Sequence, residues 1–229
     1  MTVRAIVTDI EGTTSSLRFV HDVLFPYATR ELPGFVRTGQ DHPDIIALLD
    51  ATRKDAGEPD ASLERVIEIL LSWIREDRKA TPLKALQGLV WRRGYEQRDF
   101  TGHLYADAVD RLQRWSASGI RLYVYSSGSV AAQRLLFQYS DAGDLRRLFS
   151  GYFDTRCGSK RDAGSYRGIA ESVGLPAGEI LFLSDVLEEL DAARQAGMRT
   201  CQLARDDGVV TGSHPVATNF QEVIISEQT

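Results

Sequence analysis

Short apolar runs that end in polar residues are the first pattern along the chain. Each run is rich in β-branched or aromatic residues and has the length of a buried strand, which is too short for a helix. The runs are Ala5–Thr8 followed by Asp9, 122–125 followed by Ser126, and 180–183 followed by Ser184 and Asp185. Because apolar and polar residues do not alternate within them, the runs predict strands covered on both faces, as in a parallel sheet.

Helical patterns alternate with these runs in the second half of the chain. Apolar residues recur there at helical spacing, and glycines stand where helices end, at Gly119, Gly174 and Gly197. The predicted helices span 106–118, 130–139, 166–173 and 186–196, and the segment 199–204 predicts a further strand. Alternating strands and helices are typical of a doubly wound α/β fold with a parallel sheet, which is the fold class we predict.

The segment 18–98 follows a different pattern, with helical periodicity and no convincing strand. The stretches 44–54, 63–74 and 83–92 each carry one apolar face, and Asp60 or Ser62 is the candidate cap of the helix over 63–74. We therefore predict an α/β core formed by 1–17 and 99–229, with an all-helical cap of 18–98 inserted after the first strand. Such an insertion is either a small helical domain or a lid over the carboxyl edge of the sheet.

Composition narrows the possible classes of protein. The 229 residues are 43% apolar and 26% charged, which excludes a disordered chain, and the net charge of −5 does not favour nucleic acid as a partner. No apolar run is long enough to span a membrane, and the first residues lack the features of a signal peptide. The two cysteines, Cys157 and Cys201, are too few for a disulfide framework. We expect a cytoplasmic protein and, by default, a monomer.

Four chemically active residues are expected to converge at the carboxyl ends of the strands, where open parallel sheets bind ligands. Asp9, Ser126 and Asp185 each follow a predicted strand, and Lys160 lies in a loop before the third apolar run. Two carboxylates suit Mg²⁺, which keeps waters and a substrate phosphate oxygen as its other ligands. A hydroxyl and an ammonium group suit the remaining phosphate charge. The residues thus predict a magnesium-dependent site for a small phosphorylated substrate.

The order of these motifs resembles the haloacid dehalogenase-like hydrolases. The matching segments are Asp9-Ile10-Glu11-Gly12-Thr13-Thr14, Ser126-Ser127-Gly128, Lys160, and Ser184-Asp185 with Glu188 and Glu189. The resemblance covers the whole chain and implies that Asp9 is the nucleophile, that Asp9, Glu11 and Asp185 lie at the metal, and that Ser126, Ser127 and Lys160 bind substrate. Glu11 has two open roles, as a general acid/base or as a metal ligand. One of the two glutamates could hold Lys160 or a magnesium-bound water, or serve only the helix dipole.

Glu11 stands where the superfamily usually has Asp, and this difference narrows the resemblance to one group within the superfamily. Together with 91–95 and 123–129, Glu11 is similar to the enolase-phosphatases of methionine salvage. That similarity implies enolisation of 2,3-diketo-5-methylthiopentyl 1-phosphate, followed by loss of its phosphate to give the acireductone. The base for enolisation stays open between Glu11 and a residue of the cap.

Three other functions compete with this interpretation. The nearest is another capped magnesium-dependent phosphatase that acts on a sugar or acid phosphate, although such enzymes usually carry Asp in place of Glu11. A phosphate-accepting signalling module would not need the helical insertion. A dehalogenase would not need the complete magnesium-binding set.

Overall fold

The computed structural model describes residues 2–205 and 209–225. Its central feature is a parallel sheet, which contains six strands within the described residues. The strands are β1 (Ala5–Thr8), β2 (Arg121–Tyr125), β3 (Phe149–Phe153), β4 (Ile180–Ser184), β5 (Arg199–Leu203) and β6 (Val216–Ala217). Their order is β3-β2-β1-β4-β5-β6, and every neighbouring pair is parallel. The predicted doubly wound parallel sheet is confirmed, and β3 and β6 are strands that the sequence pattern did not predict.

The described residues divide into two compact units, one within the ranges Met1–Leu17 and Gly102–Thr229 and the other formed by Arg18–Thr101. The second unit is entirely helical. It begins with a π-helical turn at Phe19–Leu24 and continues with α1 (Phe25–Gly39), α2 (Pro43–Ala56), α3 (Leu63–Arg75) and α4 (Thr81–Gln97). Ser62 caps α3, because its hydroxyl accepts a hydrogen bond from the Arg65 N–H at 3.2 Å. The unit extends beyond the predicted boundary at 98 because the Phe100 ring packs on Tyr27 and Tyr95.

The remaining helices belong to the unit that contains the sheet. They are α5 (Ala106–Ala117), α6 (Val130–Gln138), α7 (Ala163–Val173) and α8 (Leu187–Gln195). This unit also contains single 3₁₀ turns at Arg146–Leu148, Thr155–Cys157, Ala177–Glu179 and Phe220–Glu222. No helix among the described residues has the length and apolar character needed to cross a membrane.

Both faces of the sheet are covered, which explains the uninterrupted apolar runs. Val7 points to one side, in a cluster with Tyr166 of α7 and Leu190 of α8, whereas Ile6 belongs to the cluster of Leu112 on the opposite side. A strand buried on both faces has no polar position to alternate with an apolar one. The central strands β1, β2 and β4 are therefore apolar along most of their length, and their polar side chains lie at the strand ends.

Gly94 of α4 gives a test of packing in the helical unit. A Cβ at this position would lie 2.5 Å from Phe100 Cε1 and 2.8 Å from the Tyr27 ring, whereas a Cβ at Gly88 of the same helix meets nothing within 4 Å. We expect Gly94→Ala to destabilise the unit by about 1–3 kcal/mol through overpacking. Gly88→Ala should stabilise it by about 0.5–1 kcal/mol, since alanine favours the helix. Urea unfolding of both variants measures the difference, and an equal gain of stability in both would contradict this packing.

Candidate active site

The register of the central strands brings Asp9, Ser126 and Asp185 to one edge of the sheet. Thr8, the last residue of β1, lies opposite Val124 of β2 and Leu183 of β4, so each of the three polar residues follows within two positions of that row. The Asp9 N–H donates to the Leu183 carbonyl at 2.8 Å, which extends the pairing one step past β1. In this strand order the connections reverse direction between β1 and β4, and ligands bind in the crevice outside such a point.

Lys160 lies at the centre of this group of side chains. Its Nζ is 2.7 Å from Asp9 Oδ1 and 2.7 Å from Glu189 Oε2, and all three side chains are buried. Burial alone would lower the pKa of Lys160, but the two neighbouring carboxylates outweigh burial and raise it. Lys160 therefore stays an ammonium group. Of the two glutamates that follow Asp185, Glu189 makes this contact, whereas Glu188 is exposed.

Two tyrosines hold the loop that carries Lys160. The Tyr166 hydroxyl donates to the Lys160 carbonyl at 2.8 Å, and the Tyr125 hydroxyl donates to the Gly158 carbonyl at 3.1 Å. Gly158 has a φ of 122°, a backbone conformation that side chains other than that of glycine rarely allow. These hydrogen bonds hold the backbone of the loop and thus set the position of the Lys160 ammonium group.

Asp185 lies against the loop that follows Asp9. Its Oδ1 accepts a hydrogen bond from the Thr13 hydroxyl at 3.4 Å. Gly12 has a φ of 71°, and a Cβ at Gly12 would overlap Asp185 Oδ2, so glycine is required for the close approach. Burial and then the charge of Asp9 raise the pKa of Asp185 to about 6. The positive charge near the carboxyl group of Asp185 is therefore too small to offset its burial and the charge of Asp9.

The residues at this edge fit a divalent cation. Asp9 and Glu189 contact the ammonium of Lys160, and Asp185 lies within range of the charge of Asp9. Burial together with Asp9 also raises the pKa of Glu189. No group of three or more His, Cys, Asp and Glu residues forms a complete metal cage in the described part of the chain. Mg²⁺ does not need one, because it binds through one or two carboxylates and takes waters and phosphate oxygens as further ligands. The oxygen ligands and the excess negative charge suit Mg²⁺.

The loop after Asp9 is folded tightly around one carbonyl. The N–H groups of Thr13, Thr14 and Ser15 all donate to the Ile10 carbonyl at 2.8–3.2 Å. The Thr14 hydroxyl donates to the Asp9 carbonyl at 2.9 Å. Glu11 is half-buried on this loop, where its backbone pairs with Ser15. Both sequence-based roles of Glu11 remain predictions.

The loop after β2 supplies hydroxyl groups at the same edge. Ser126 is buried, and its Oγ accepts a hydrogen bond from the Gly128 N–H at 3.1 Å. Ser127 is half-buried. The cap of α6 is Ser129, whose Oγ accepts from the Ala132 N–H at 3.2 Å, so capping is not the role of Ser126 or Ser127. Their role as substrate binders remains a prediction.

Gln133 holds the loop after β2 in place. The sequence analysis does not identify this residue. Its side-chain amide donates from Nε2 to the carbonyls of Gly128 and Phe153, both at 2.8 Å, and the residue is 2% exposed. Gln133 thus joins the serine loop to the end of β3. The only signal in the sequence is a polar residue on the buried face of α6, and that signal does not identify its partners.

Comparisons with known proteins show the family of the chain. A family described as a haloacid dehalogenase-like hydrolase matches residues 3–197. The chain belongs to the haloacid dehalogenase-like hydrolases. Within them it is 60% identical to Enolase-phosphatase E1 of Pseudomonas aeruginosa strain UCBPP-PA14, across 98% of this chain and 100% of that protein. It is also 60% identical to Enolase-phosphatase E1 of Azotobacter vinelandii, across 97% of this chain and 98% of that protein. The predicted membership of this group is confirmed.

Two solved structures share the fold of this chain. The UTR4 protein of Saccharomyces cerevisiae is 33% identical, with a TM-score of 0.83 over 96% of this chain and 100% of that one. CbbY of Rhodobacter sphaeroides, solved in complex with phosphate, is 17% identical with a TM-score of 0.60 over 96% of both chains. At 17% identity, the similarity to CbbY shows a shared fold and nothing further.

Gln133→Glu tests whether this side chain holds the serine loop. A carboxylate would place oxygen against the carbonyls of Gly128 and Phe153, and we expect a cost of about 1–3 kcal/mol in stability. We also expect weaker inhibition by inorganic phosphate. Thermal unfolding and phosphate inhibition measure the two effects. The control is Gln138→Glu in the last turn of α6, and equal behaviour of the two variants would contradict the assignment.

Proposed function

We propose that the chain is a magnesium-dependent enolase-phosphatase that acts on 2,3-diketo-5-methylthiopentyl 1-phosphate in methionine salvage. The observation that carries the chemistry is the 2.7 Å contact between Lys160 Nζ and Asp9 Oδ1 beside Asp185. The full-length similarity to Enolase-phosphatase E1 proteins supports the choice of substrate. The expected setting is the cytoplasm.

Asp9 is the nucleophile in this proposal. Its Oδ1 accepts hydrogen bonds from Lys160 and from the Ile10 N–H at 2.8 Å, so we assign Oδ2 as the attacking oxygen. Attack on phosphorus forms the Asp9–phosphate bond and breaks the bond to the substrate oxygen, which takes up one proton. Water then attacks the aspartyl phosphate, gives up a proton and releases inorganic phosphate with Asp9 regenerated.

Lys160 offsets the repulsion between the carboxylate of Asp9 and the anionic phosphate. Its raised pKa keeps this charge in place at neutral pH. Ser126 and Ser127 are the proposed donors to the phosphate oxygens. Glu11 is the proposed proton donor to the leaving oxygen and the acceptor from the attacking water, with contact to the metal as its second role.

Asp9 and Asp185 are the residues proposed to hold Mg²⁺, with Glu11 as a further candidate. When bound, the cation supplies positive charge that stabilises an anionic phosphate or an enolate oxygen. Enolisation moves a proton from the carbon beside a carbonyl to a base, and the carbonyl oxygen becomes an enolate oxygen, which then takes up a proton to give the enol. Glu11 is the candidate base within the unit that contains the sheet.

Asp9→Asn tests the nucleophile. The amide retains an oxygen for the Ile10 N–H but is a poor nucleophile, so we expect phosphate release to fall by about three orders of magnitude or more. Phosphate release and ultraviolet absorbance of the enol are measured together on the diketo phosphate. The control is Asp144→Asn, the same change at an exposed aspartate. Unchanged phosphate release in the Asp9 variant would exclude the proposed intermediate.

Metal binding is tested separately by thermal unfolding in the absence of substrate. A cation held by Asp9 and Asp185 would relieve the repulsion between the two carboxylates. Mg²⁺ at about 100 times its Kd should therefore stabilise the chain by about 2.7 kcal/mol. Asp185→Asn should lose most of this gain, whereas Asp144→Asn should retain it. Chelation should abolish phosphate release, and added Mg²⁺ should restore it. Full activity in the presence of the chelator would contradict the proposed dependence on magnesium.

A further inference from the structure

Arg205 has a buried side chain that the proposed chemistry does not use. It follows the end of β5, and its Nε donates to the carbonyl of Thr13 at 2.7 Å. Thr13 is fully buried in the loop after Asp9. The bond therefore ties the chain beyond β5 to the loop that carries Glu11 and Gly12.

The guanidinium of Arg205 is held by an ion pair and by an aromatic ring as well as by the Thr13 carbonyl. Its two terminal nitrogens donate to the two carboxylate oxygens of Asp107 at 3.0 and 2.9 Å. Its plane lies over the Tyr105 ring at 3.9 Å, and the side chain is 6% exposed. Asp107 is itself held, because it accepts from the Phe220 N–H at 2.8 Å. A planar group bound in two directions is a rigid donor.

Thr13 connects Arg205 to Asp185, one of the proposed metal ligands. Its hydroxyl contacts Asp185 Oδ1 at 3.4 Å, and its N–H donates to the Ile10 carbonyl at 3.2 Å. The Asp185 carboxyl group also packs directly on Gly12. A shift of the Thr13 carbonyl would therefore move the backbone on which Asp185 rests and change its distance from Asp9.

We propose that Arg205 is a positioning residue that sets the spacing of the Asp9 and Asp185 carboxylates through the Thr13 carbonyl, and thereby sets the affinity of the site for Mg²⁺. The inference rests on the magnesium site of the proposed function. Replacing a residue that orients metal ligands without binding the metal itself typically changes metal affinity by about 10–100-fold. A residue that serves only stability would leave the affinity of the folded protein unchanged.

Arg205→Lys and Arg205→Gln test the proposal. Lysine retains the charge opposite Asp107 but lacks the planar pair of donors, so it provides a variant that preserves the ion pair. The stability control is Leu112→Ala, which opens a cavity in the core cluster that α5 contributes to, and this cluster contains no residue of the loop after Asp9. All proteins are compared below their unfolding temperatures, and Mg²⁺ binding is measured by calorimetry without substrate.

We expect both Arg205 variants to bind Mg²⁺ about tenfold more weakly than the unchanged chain. The concentration of Mg²⁺ needed for half-maximal phosphate release should rise in parallel, with a smaller change in KM for the substrate. Leu112→Ala should lower Tm and keep the Mg²⁺ affinity. Affinities within twofold of the unchanged chain in both Arg205 variants would overturn the inference. Absence of Mg²⁺ binding by the unchanged chain would instead contradict the proposed function, and with it this role of Arg205.

Discussion

The ion pair between Lys160 and Asp9 is the interaction on which the site depends. Asp9, Glu189 and Asp185 bring three carboxylates to a buried edge where Lys160 is the ammonium group that faces them. Burying an uncompensated carboxylate is costly, and the raised pKa values of Asp185 and Glu189 express that cost. The same excess of negative charge suits a site that would bind a divalent cation and in which Asp9 would attack an anionic phosphate.

A second feature of the site is the way its loops are held. Buried side chains donate hydrogen bonds to backbone carbonyls of the loops that carry the functional residues. These pairs are Arg205 with Thr13, Gln133 with Gly128, Tyr125 with Gly158, Tyr166 with Lys160, and Gln202 with Asp185. A loop fixed through its carbonyls keeps its own side chains available for ligands. This arrangement supplies the preorganisation that electrostatic catalysis needs.

Much of the sheet could be predicted because its central strands are covered on both faces. β1, β2 and β4 are uninterrupted apolar runs, and a polar residue follows each one where the sheet ends. β3 was missed since its residues Phe149–Phe153 are mostly half-exposed and include Gly151, so they have no clear periodicity. It is a strand because it pairs with β2, and that pairing depends on residues far apart in the chain.

The residues that hold the loops could not be predicted for a related physical reason. Asp9, Lys160 and Asp185 are recognisable because a charged side chain at a strand end or in a loop is a chemical signal in itself. Gln133 and Arg205 bind carbonyl groups, which every residue carries, so nothing in the sequence marks their acceptors. Only the fold selects which carbonyl each donor meets. Residue type therefore indicates the chemistry of the site, whereas its precision depends on contacts that the chain acquires when it folds.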